Sequence, residues 1–296
     1  MILWRRFRPE RHWLLFPALV LLFIALVGGA RAGGLPLELN GARSILVVSP
    51  HPDDETLCCG GLLHHAATSG ISVFVVWITG GDASTLAAMA RFGRLSPNAD
   101  TYRELGELRF REAARAADRL GIPQGHTFFL GFPDQGLENV YASCLENYTS
   151  SATAWNAAHY QGSYRRGAGY DACTLREILA NIIEKTQPDI ILAPSLLDVH
   201  PDHRAAGYFS LQAASLAGFH GRFCRWVVHS YTGWFDRAGL LDSGGIAGGL
   251  KEFHLNSADL RAKAEALGAY ESQWLFRDYL LAKLGIANIE YFDCLR

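Results

Sequence analysis

The chain has 296 residues, of which 49% are hydrophobic, and its 27 Lys and Arg residues nearly balance its 29 Asp and Glu residues. This length is sufficient for one large α/β domain with a full hydrophobic core. The balanced charge argues against a nucleic-acid partner, because proteins that bind nucleic acids usually carry a strongly basic surface. The composition is that of a globular protein and contains no low-complexity tract.

Residues 1–32 differ in character from the rest of the chain. Four arginines within residues 5–11 precede an uncharged apolar run over residues 13–29, and an Ala-Arg-Ala sequence ends at Ala32. These three parts are typical of an export signal that is cleaved after Ala32. The apolar run also approaches the length of a membrane-spanning helix, so a retained anchor that associates with the membrane through residues 13–29 is the alternative. Either form predicts a domain outside the cytoplasm.

After a linker over residues 33–43, apolar β-branched runs alternate with segments of helical periodicity. The predicted strands cover residues 44–49, 71–79, 127–130, 189–193 and 225–231, and the predicted helices cover 55–69, 101–120, 174–186, 204–216 and 257–270. Residues 83–98 and 134–172 are predicted to be loops. The alternation predicts a single Rossmann-like α/β domain over residues 44–296, with a mostly parallel sheet covered by helices on both faces. No Gly-x-Gly-x-x-Gly motif follows the first strand, so a dinucleotide cofactor is not expected.

Two clusters of polar residues follow predicted strands. The segment Pro50–Thr56 reads Pro-His-Pro-Asp-Asp-Glu-Thr, and the segment Asp198–His203 reads Asp-Val-His-Pro-Asp-His. Either cluster alone is explained equally well as a turn whose aspartate caps the next helix. Together they favour a metal site, because ligands bind at the carboxyl ends of parallel strands and zinc takes imidazole nitrogens and carboxylate oxygens.

The same two clusters resemble the PIG-L/LmbE-like family of zinc-dependent N-deacetylases, which act on N-acetylglucosaminyl and related amides. Three further segments extend the resemblance: Gly106-x-x-Arg109-x-x-Glu112, Gly131-Phe132-Pro133-Asp134, and residues 263–273. The resemblance implies a Zn²⁺ ion bound by His51, Asp54 and His203. It also implies that Asp53 is the general base that acts on the zinc-bound water.

The remaining implied roles concern the reacting carbonyl and the sugar. The resemblance implies that His200 acts as an electrophile or general acid and that Asp202 orients it. Arg109 and Asp134 are implied to line the sugar pocket. Two alternatives stay open: Arg109 forms an ion pair with Glu112 on the helix surface, and Asp134 only forms a turn.

We therefore expect a zinc hydrolase that removes the N-acetyl group from an N-acetylglucosamine-type sugar in an extracytoplasmic glycan or glycolipid. One alternative is a zinc amidase that cleaves another amide, such as a longer acyl chain or a sugar–amino-acid conjugate. The other is a catalytically silent glycan-binding module. The presence of every implied ligand and of the base argues against the silent module.

The other candidate residues receive structural roles. Cys58 and Cys59 are expected to be small buried side chains that do not pair with each other. In an exported domain, disulfides are open to the other four cysteines, Cys144, Cys173, Cys224 and Cys294. Asp198 is a candidate substrate contact. Seven histidines after residue 43 and outside the two clusters, His229 among them, lack ligand spacing and are expected on the surface or in the core.

Overall fold

In a computed structural model of the protein, which describes residues 35–229, 249–273 and 288–295, the predicted alternation of strands and helices produces one mixed sheet. The predicted signal or anchor over residues 1–32 lies outside the described residues. Within those ranges, no helix is both long enough and apolar enough to cross a bilayer.

The strands of this sheet are β1 (Leu35–Pro36), β2 (Ser44–Ser49), β3 (Ser72–Thr79), β4 (Thr127–Phe132), β5 (Ile190–Pro194), β6 (Arg222–Trp226), β7 (Leu250–His254) and β8 (Ile289–Cys294). They are arranged in the order β1-β7-β8-β6-β5-β2-β3-β4. Strand β8 is antiparallel to both of its neighbours, and every other neighbouring pair is parallel. The predicted α/β fold with a mostly parallel sheet is confirmed.

The helices are α1 (Asp54–Thr68), α2 (Thr85–Phe92), α3 (Ala99–Arg119), α4 (Leu137–Tyr141), α5 (Ala172–Thr186), α6 (Pro201–Leu216) and α7 (Ser257–Leu267). Apolar side chains of α1, α3 and α7 form one hydrophobic cluster with the sheet, and those of α4, α5 and α6 form another. Helices therefore cover both faces of the sheet, as the sequence predicts.

The central strand β2 shows why its sequence is continuously apolar. Ile45 and Val47 belong to the cluster on one face, whereas Leu46 and Val48 belong to the cluster on the other. All four side chains are at most 1% exposed. Because successive side chains of a strand point to opposite faces, a strand covered on both sides needs apolar residues at every position.

Three predicted segments differ in the structure. The predicted loop over residues 83–98 contains α2, because the Ser84 hydroxyl caps its first turn and Gly93, with φ of 65°, ends it. The predicted loop over residues 134–172 contains the short helix α4. The predicted strand over 225–231 is shifted: β6 covers Arg222–Trp226, and residues 230 and 231 lie outside the described part of the chain.

All six cysteines form disulfides, which corrects the prediction for Cys58 and Cys59 and agrees with the expectation for the other four. Cys58 and Cys59 form a disulfide with each other, so the expectation that these neighbours stay unpaired is wrong. The other four cysteines pair as Cys144–Cys173 and Cys224–Cys294. The second of these bonds joins β6 to the antiparallel strand β8 and closes a sequence separation of 70 residues.

We predict that Cys294→Ser lowers the free energy of unfolding by about 4 kcal/mol, because the Cys224–Cys294 bond restricts a long loop in the unfolded chain. Chemical denaturation of the oxidised protein and the variant measures this difference. Cys224→Ser should give the same loss, and the double variant should lose no more than either single one. Equal stability of the oxidised protein and the single variants would contradict the prediction.

Candidate metal centre

The two polar clusters meet because their strands are neighbours. Strands β2 and β5 pair in parallel from Ile45 opposite Ile190 to Val47 opposite Leu192. Their carboxyl ends therefore lie at the same edge of the sheet, and the rings of His51 and His203 come within 5.3 Å of each other, centroid to centroid. The structure thus brings together residues that are about 150 positions apart in the sequence, as expected from parallel pairing.

The three predicted metal ligands converge on one point. Oδ2 of Asp54 lies 3.0 Å from Nδ1 of His51 and 3.1 Å from Nε2 of His203. The ligand atoms of all three residues lie within 4.8 Å of one another, and all three residues are buried. Nε2 of His203 has no hydrogen-bond partner of acceptable geometry, although Asp54 is near. Two imidazoles, one carboxylate and an unengaged ring nitrogen fit a tetrahedral metal that keeps one position for water.

The opposite nitrogen of each imidazole contacts a carboxylate. Nδ1 of His203 is 3.0 Å from Oδ2 of Asp198. Nε2 of His51 is 3.2 Å from an oxygen of Asp134 and 3.2 Å from an oxygen of Asp202. Metal-binding histidines usually have such a partner, because it fixes the ring and increases the basicity of the ligating nitrogen.

A second group of donors, formed by His51, His200 and Asp202, is also close enough to hold a cation. This group would need Nε2 of His51, which already contacts Asp134. The His51–Asp54–His203 group leaves that contact intact and uses the nitrogen that faces Asp54. The geometry therefore favours the three ligands that the sequence predicts.

The electrostatics of the centre favour positive charge. Burial lowers the pKa of His203, but Asp54 and Asp198 outweigh it and raise this pKa to about 9. Burial also opposes protonation of His51, yet nearby carboxylates, Asp134 foremost, raise its pKa well above the ordinary value. For Asp54, burial is outweighed by the two imidazoles, which hold its pKa well below the usual range. A divalent cation would supply the same charge compensation that protons on these rings supply.

Asp53, the predicted base, has an unusual backbone at the entrance to α1. Its φ is 120° and its ψ is −29°, which is rare for a residue with a side chain. Burial raises the pKa of Asp53 to about 8, although the Arg109 guanidinium opposes that rise. Its carboxylate accepts a hydrogen bond of 3.2 Å from Nη2 of Arg109 and borders the same cleft as His51.

Arg109 borders the cleft and also braces the loops around it. It is 5% exposed, and its guanidinium donates to the carbonyl oxygens of Pro52, at 2.6 Å, and Gly81, at 2.9 Å. A Cβ at Gly81 would lie 2.4 Å from Cζ of Arg109, so only glycine fits there. The alternative of an Arg109–Glu112 surface pair is not found, because Glu112 is buried and accepts instead from the backbone and hydroxyl of Ser272.

The carboxylate of Asp202 does not bond to the His200 ring, which corrects the predicted orientation. It contacts His51 and accepts from the backbone N–H groups of Gln135 and Leu137. The His200 ring is oriented instead by the backbone N–H of Asp202, which donates to Nδ1 of His200 at 3.2 Å. The proton of a neutral His200 therefore sits on Nε2. Burial, together with repulsion from His51 and His203, lowers the pKa of His200 to about 4.

Two other predictions about the cleft are corrected. Asp198 is not a substrate contact: it is 1% exposed, and besides His203 it accepts from the backbone N–H groups of His200, Val228 and His229. His229 is neither a surface nor a distant core residue, since its ring lies 4.8 Å from that of His203 and borders the cleft. The position of His229, three residues after β6 at the same sheet edge, was the available signal.

The cleft over the centre has a volume of about 250 Å³. Asp134 borders it, as the resemblance implies, while its second oxygen accepts from the backbone N–H of Ala83 at 2.7 Å. The cleft is lined by His51, Asp53, Asp54, Leu57, Ser84, Arg109, Asp134, Gln135, His200, His229 and Gln273. A lining that is mostly polar but includes the apolar Leu57 is suited to a polar ligand with some apolar surface.

We predict that Asp198→Asn weakens metal binding by about 10- to 100-fold, because the charge that supports His203 is lost. Competition with a chromogenic chelator measures the affinity. Asp189→Asn is the matched control, since Asp189 lies at the opposite end of β5 and bonds to the backbone of Arg43 and Ser44. A folded Asp198→Asn variant with unchanged metal affinity would contradict the assignment of the centre.

The comparisons with known proteins match the part of the chain that contains the candidate centre. The PIG-L family, described as a GlcNAc-PI de-N-acetylase, matches residues 46–214, which is more than half of the chain. The diacetylchitobiose deacetylase of Thermococcus kodakarensis is 28% identical over 182 residues, which are 60% of this chain and 52% of that protein. The chain thus spans about half the length of this curated relative.

Two solved structures share the fold. The N,N'-diacetylchitobiose deacetylase from Pyrococcus horikoshii, in complex with its inhibitor MPG, has a TM-score of 0.56 at 16% identity, covering 97% of this chain and 94% of that one. GalB, the 4-carboxy-2-hydroxymuconate hydratase from Pseudomonas putida KT2440, has a TM-score of 0.56 at 16% identity, covering 86% and 95%. A deacetylase and a hydratase with one fold show that the fold alone does not determine the reaction.

The sequence match is more informative than the fold, because it includes both strand ends that build the centre. His51, Asp53 and Asp54 lie within it, as do His200 and His203. On this evidence the chain belongs to the PIG-L family.

Proposed function

We propose that the protein is an extracytoplasmic zinc-dependent hydrolase that removes the N-acetyl group from an N-acetylglucosamine-type sugar. The observation that carries this proposal is that Asp53 lines the same cleft as His51 and Asp54, two members of the His51–Asp54–His203 donor set. A base beside a metal position is the arrangement that amide hydrolysis by water requires. The family match and the deacetylase activity named for the Thermococcus relative support the same reaction class.

His51, Asp54 and His203 would hold the metal. A bound Zn²⁺ lowers the pKa of a water molecule and polarises the amide carbonyl. Zinc is proposed over other metals because two imidazole nitrogens and one carboxylate oxygen form a typical catalytic zinc donor set. Asp53 takes a proton from the attacking water and later delivers it to the amine nitrogen as the C–N bond breaks. Acetate and the free amino sugar are the two products.

The other cleft residues orient the base and the substrate and stabilise the negative charge that develops on the carbonyl oxygen. Nε2–H of His200 donates a hydrogen bond toward the acetamido carbonyl oxygen, where negative charge develops. Arg109 holds the Asp53 carboxylate in place through its 3.2 Å hydrogen bond. Since Asp134 borders the cleft, its carboxylate is a candidate partner for a sugar hydroxyl, although His51 and Ala83 already hold it in place.

The size of the cleft supports a terminal sugar as the reacting group. Its volume of about 250 Å³ is smaller than that of pockets that enclose drug-sized ligands, roughly 300–1,000 Å³. One acetamido sugar would enter, and the remainder of a glycan or glycolipid would stay outside.

A location outside the cytoplasm is supported by the cysteines and by residues 1–32. All six cysteines are paired, and no free cysteine is found in the described residues. Disulfides form and persist mainly in oxidising compartments, whereas cytosolic thiols are kept reduced. The basic and apolar parts of residues 1–32, followed by Ala-Arg-Ala, are the matching sequence feature.

We predict that the metal-loaded protein releases free amine and acetate in equal amounts from N-acetylated mono- or oligosaccharides. Asp53→Asn should lower turnover by about 10²- to 10⁴-fold, because the base is lost while the metal ligands remain. Asp118→Asn, which changes an exposed aspartate on α3, is the control. A panel of N-acetylated sugars, assayed with and without a chelator, measures both products.

Two outcomes of that assay would contradict the proposal. Amine release that persists in Asp53→Asn would exclude this residue as the base. A metal-loaded protein that releases no amine from any sugar would redirect the search to other amides, and binding without turnover would favour a silent glycan-binding module.

We also predict that residues 1–43, fused to a reporter that is active only outside the cytoplasm, export this reporter. The positive charge before the apolar run should keep the amino terminus inside. Residues 33–43 alone serve as the control. Mass spectrometry of the exported fusion distinguishes cleavage after Ala32 from a retained anchor, and a reporter that stays inactive would contradict extracytoplasmic function.

A further inference from the structure

The peptide group that joins Pro52 to Asp53 is held at its carbonyl and at its N–H by two buried charged side chains, Arg109 and Glu55. With φ of 120°, Asp53 adopts a conformation that side-chain-bearing residues rarely adopt and that surrounding contacts must maintain. On one side, the carbonyl oxygen of Pro52 accepts from Arg109 at 2.6 Å. On the other side, the N–H of Asp53 donates to Oε2 of Glu55 at 3.2 Å.

Glu55 is itself fixed by further donors, including the Ser49 hydroxyl at 3.3 Å from its Oε2. It is 1% exposed, and its Oε2 accepts from Nε1 of Trp77 at 2.8 Å. Its Oε1 accepts from the hydroxyl of Thr56 at 2.6 Å and from the hydroxyl of Tyr270 at 2.5 Å. The last three donors belong to β3, to α1 and to the segment after α7. The carboxylate of Glu55 therefore connects three parts of the fold to the N–H of Asp53.

The Ser49 side chain completes the turn. Its hydroxyl donates to the carbonyl oxygen of His51 at 2.6 Å and accepts from the N–H of Glu55 at 3.2 Å. The carbonyl of His51 and the N–H of Glu55, at the two ends of this turn, are thus held from β2 as well. Glu55 acts on Asp53 in two ways: it accepts from the backbone N–H of Asp53, and its charge contributes to the raised pKa of the Asp53 carboxyl. Only the first of these acts on the φ of Asp53, which is why the backbone of Asp53 is a readout of the test below.

We infer that Glu55 is a positioning residue for the proposed reaction: it maintains the unusual Asp53 backbone and so aims the Asp53 carboxylate at the cleft. Trp77 and Tyr270 hold Glu55 in place for this purpose. This inference rests on the proposed function, because it concerns the residue that acts there as the base. A different role, in which Glu55 only stabilises the first turn of α1, would affect folding but not the geometry of Asp53.

The test compares Glu55→Gln with Glu112→Gln in the full chain. Glu112 is a matched control: it is also buried, also on a helix, and also accepts from the segment after α7, but it does not contact Asp53. Glu55→Gln keeps the shape of the side chain and replaces one accepting oxygen by a donor. We expect kcat to fall by about 10- to 100-fold, since small displacements of a catalytic group are costly.

Other quantities separate positioning from loss of structure. KM and metal stoichiometry should stay within about twofold of the native values. A crystal structure of Glu55→Gln should show that φ of Asp53 has left the region near 120°. Tyr270→Phe, which removes one donor to Glu55 without changing charge, should produce the same changes to a smaller extent, and it provides the answer if Glu55→Gln does not fold.

Three results would overturn the inference. One is an unchanged φ of Asp53 in Glu55→Gln, or in Tyr270→Phe if Glu55→Gln does not fold. Another is an unchanged kcat in the same variant. The third is an equal fall of kcat in Glu112→Gln, which would indicate general loosening of the segment after α7. If the native chain releases no amine from any N-acetylated sugar, the proposed function fails, whereas the crystal structure still decides whether Glu55 sets the Asp53 backbone.

Discussion

The parallel pairing of β2 with β5 is the constraint on which the candidate centre depends. It places Asp54, at the start of α1, against His203, in the first turn of α6, with 3.1 Å between the two ligand atoms. The pairing that runs from Ile45 opposite Ile190 is stabilised by apolar packing on both faces, because every position of the two strands is buried. The hydrophobic core thus determines the distance between polar groups that contribute nothing to it.

The supporting carboxylates connect this centre to the other loops at the same sheet edge. Asp134, Asp198 and Asp202 each contact an imidazole of the centre through one oxygen and also accept from backbone N–H groups. These N–H groups belong to Ala83 after β3, Gln135 and Leu137 after β4, and Val228 and His229 after β6. Buried carboxylates are costly unless they are paired, so each loop is held where its N–H groups reduce that cost. The same carboxylates therefore hold both the imidazoles of the centre and the loops around it.

Much of this arrangement could be predicted from the sequence, because short segments carry the patterns that identify strands and helices. Apolar β-branched runs and helical periodicity identify β2, β3 and β5 and the longer helices within a few residues, because both patterns are set by burial on a strand or helix. The meeting of the two polar clusters followed from the strand ends, whereas the choice of His51, Asp54 and His203 as ligands came from the family resemblance. Strands β1, β7 and β8 were not predicted, since short edge strands and an antiparallel return have weak local signals and depend on the partner strand.

Sequence reasoning missed the contacts in which a side chain binds a residue other than the one expected from its position in the motif. The carboxylate of Asp202 was expected to serve His200, two residues before it, yet it reaches His51 and the loop after β4. Asp198 was expected to contact the substrate, but its carboxylate instead contacts Nδ1 of His203. A motif shows which residue types are present at a strand end. It does not show toward which loop each side chain turns, because that depends on where the other loops place their N–H groups.

Two of the four non-glycine residues with positive φ in the described part of the chain lie at the cleft. Asp53, with φ of 120°, and Gln135, with φ of 56°, are both non-glycine residues and both line the cleft. A backbone in such regions costs free energy and persists only where other contacts compensate for it. At Asp53 the compensation comes from Arg109 and Glu55, and at Gln135 from the carboxylate of Asp202. At both positions the compensating contacts come from the side chains that build the candidate centre and its surroundings, so these backbone conformations and the cleft depend on each other.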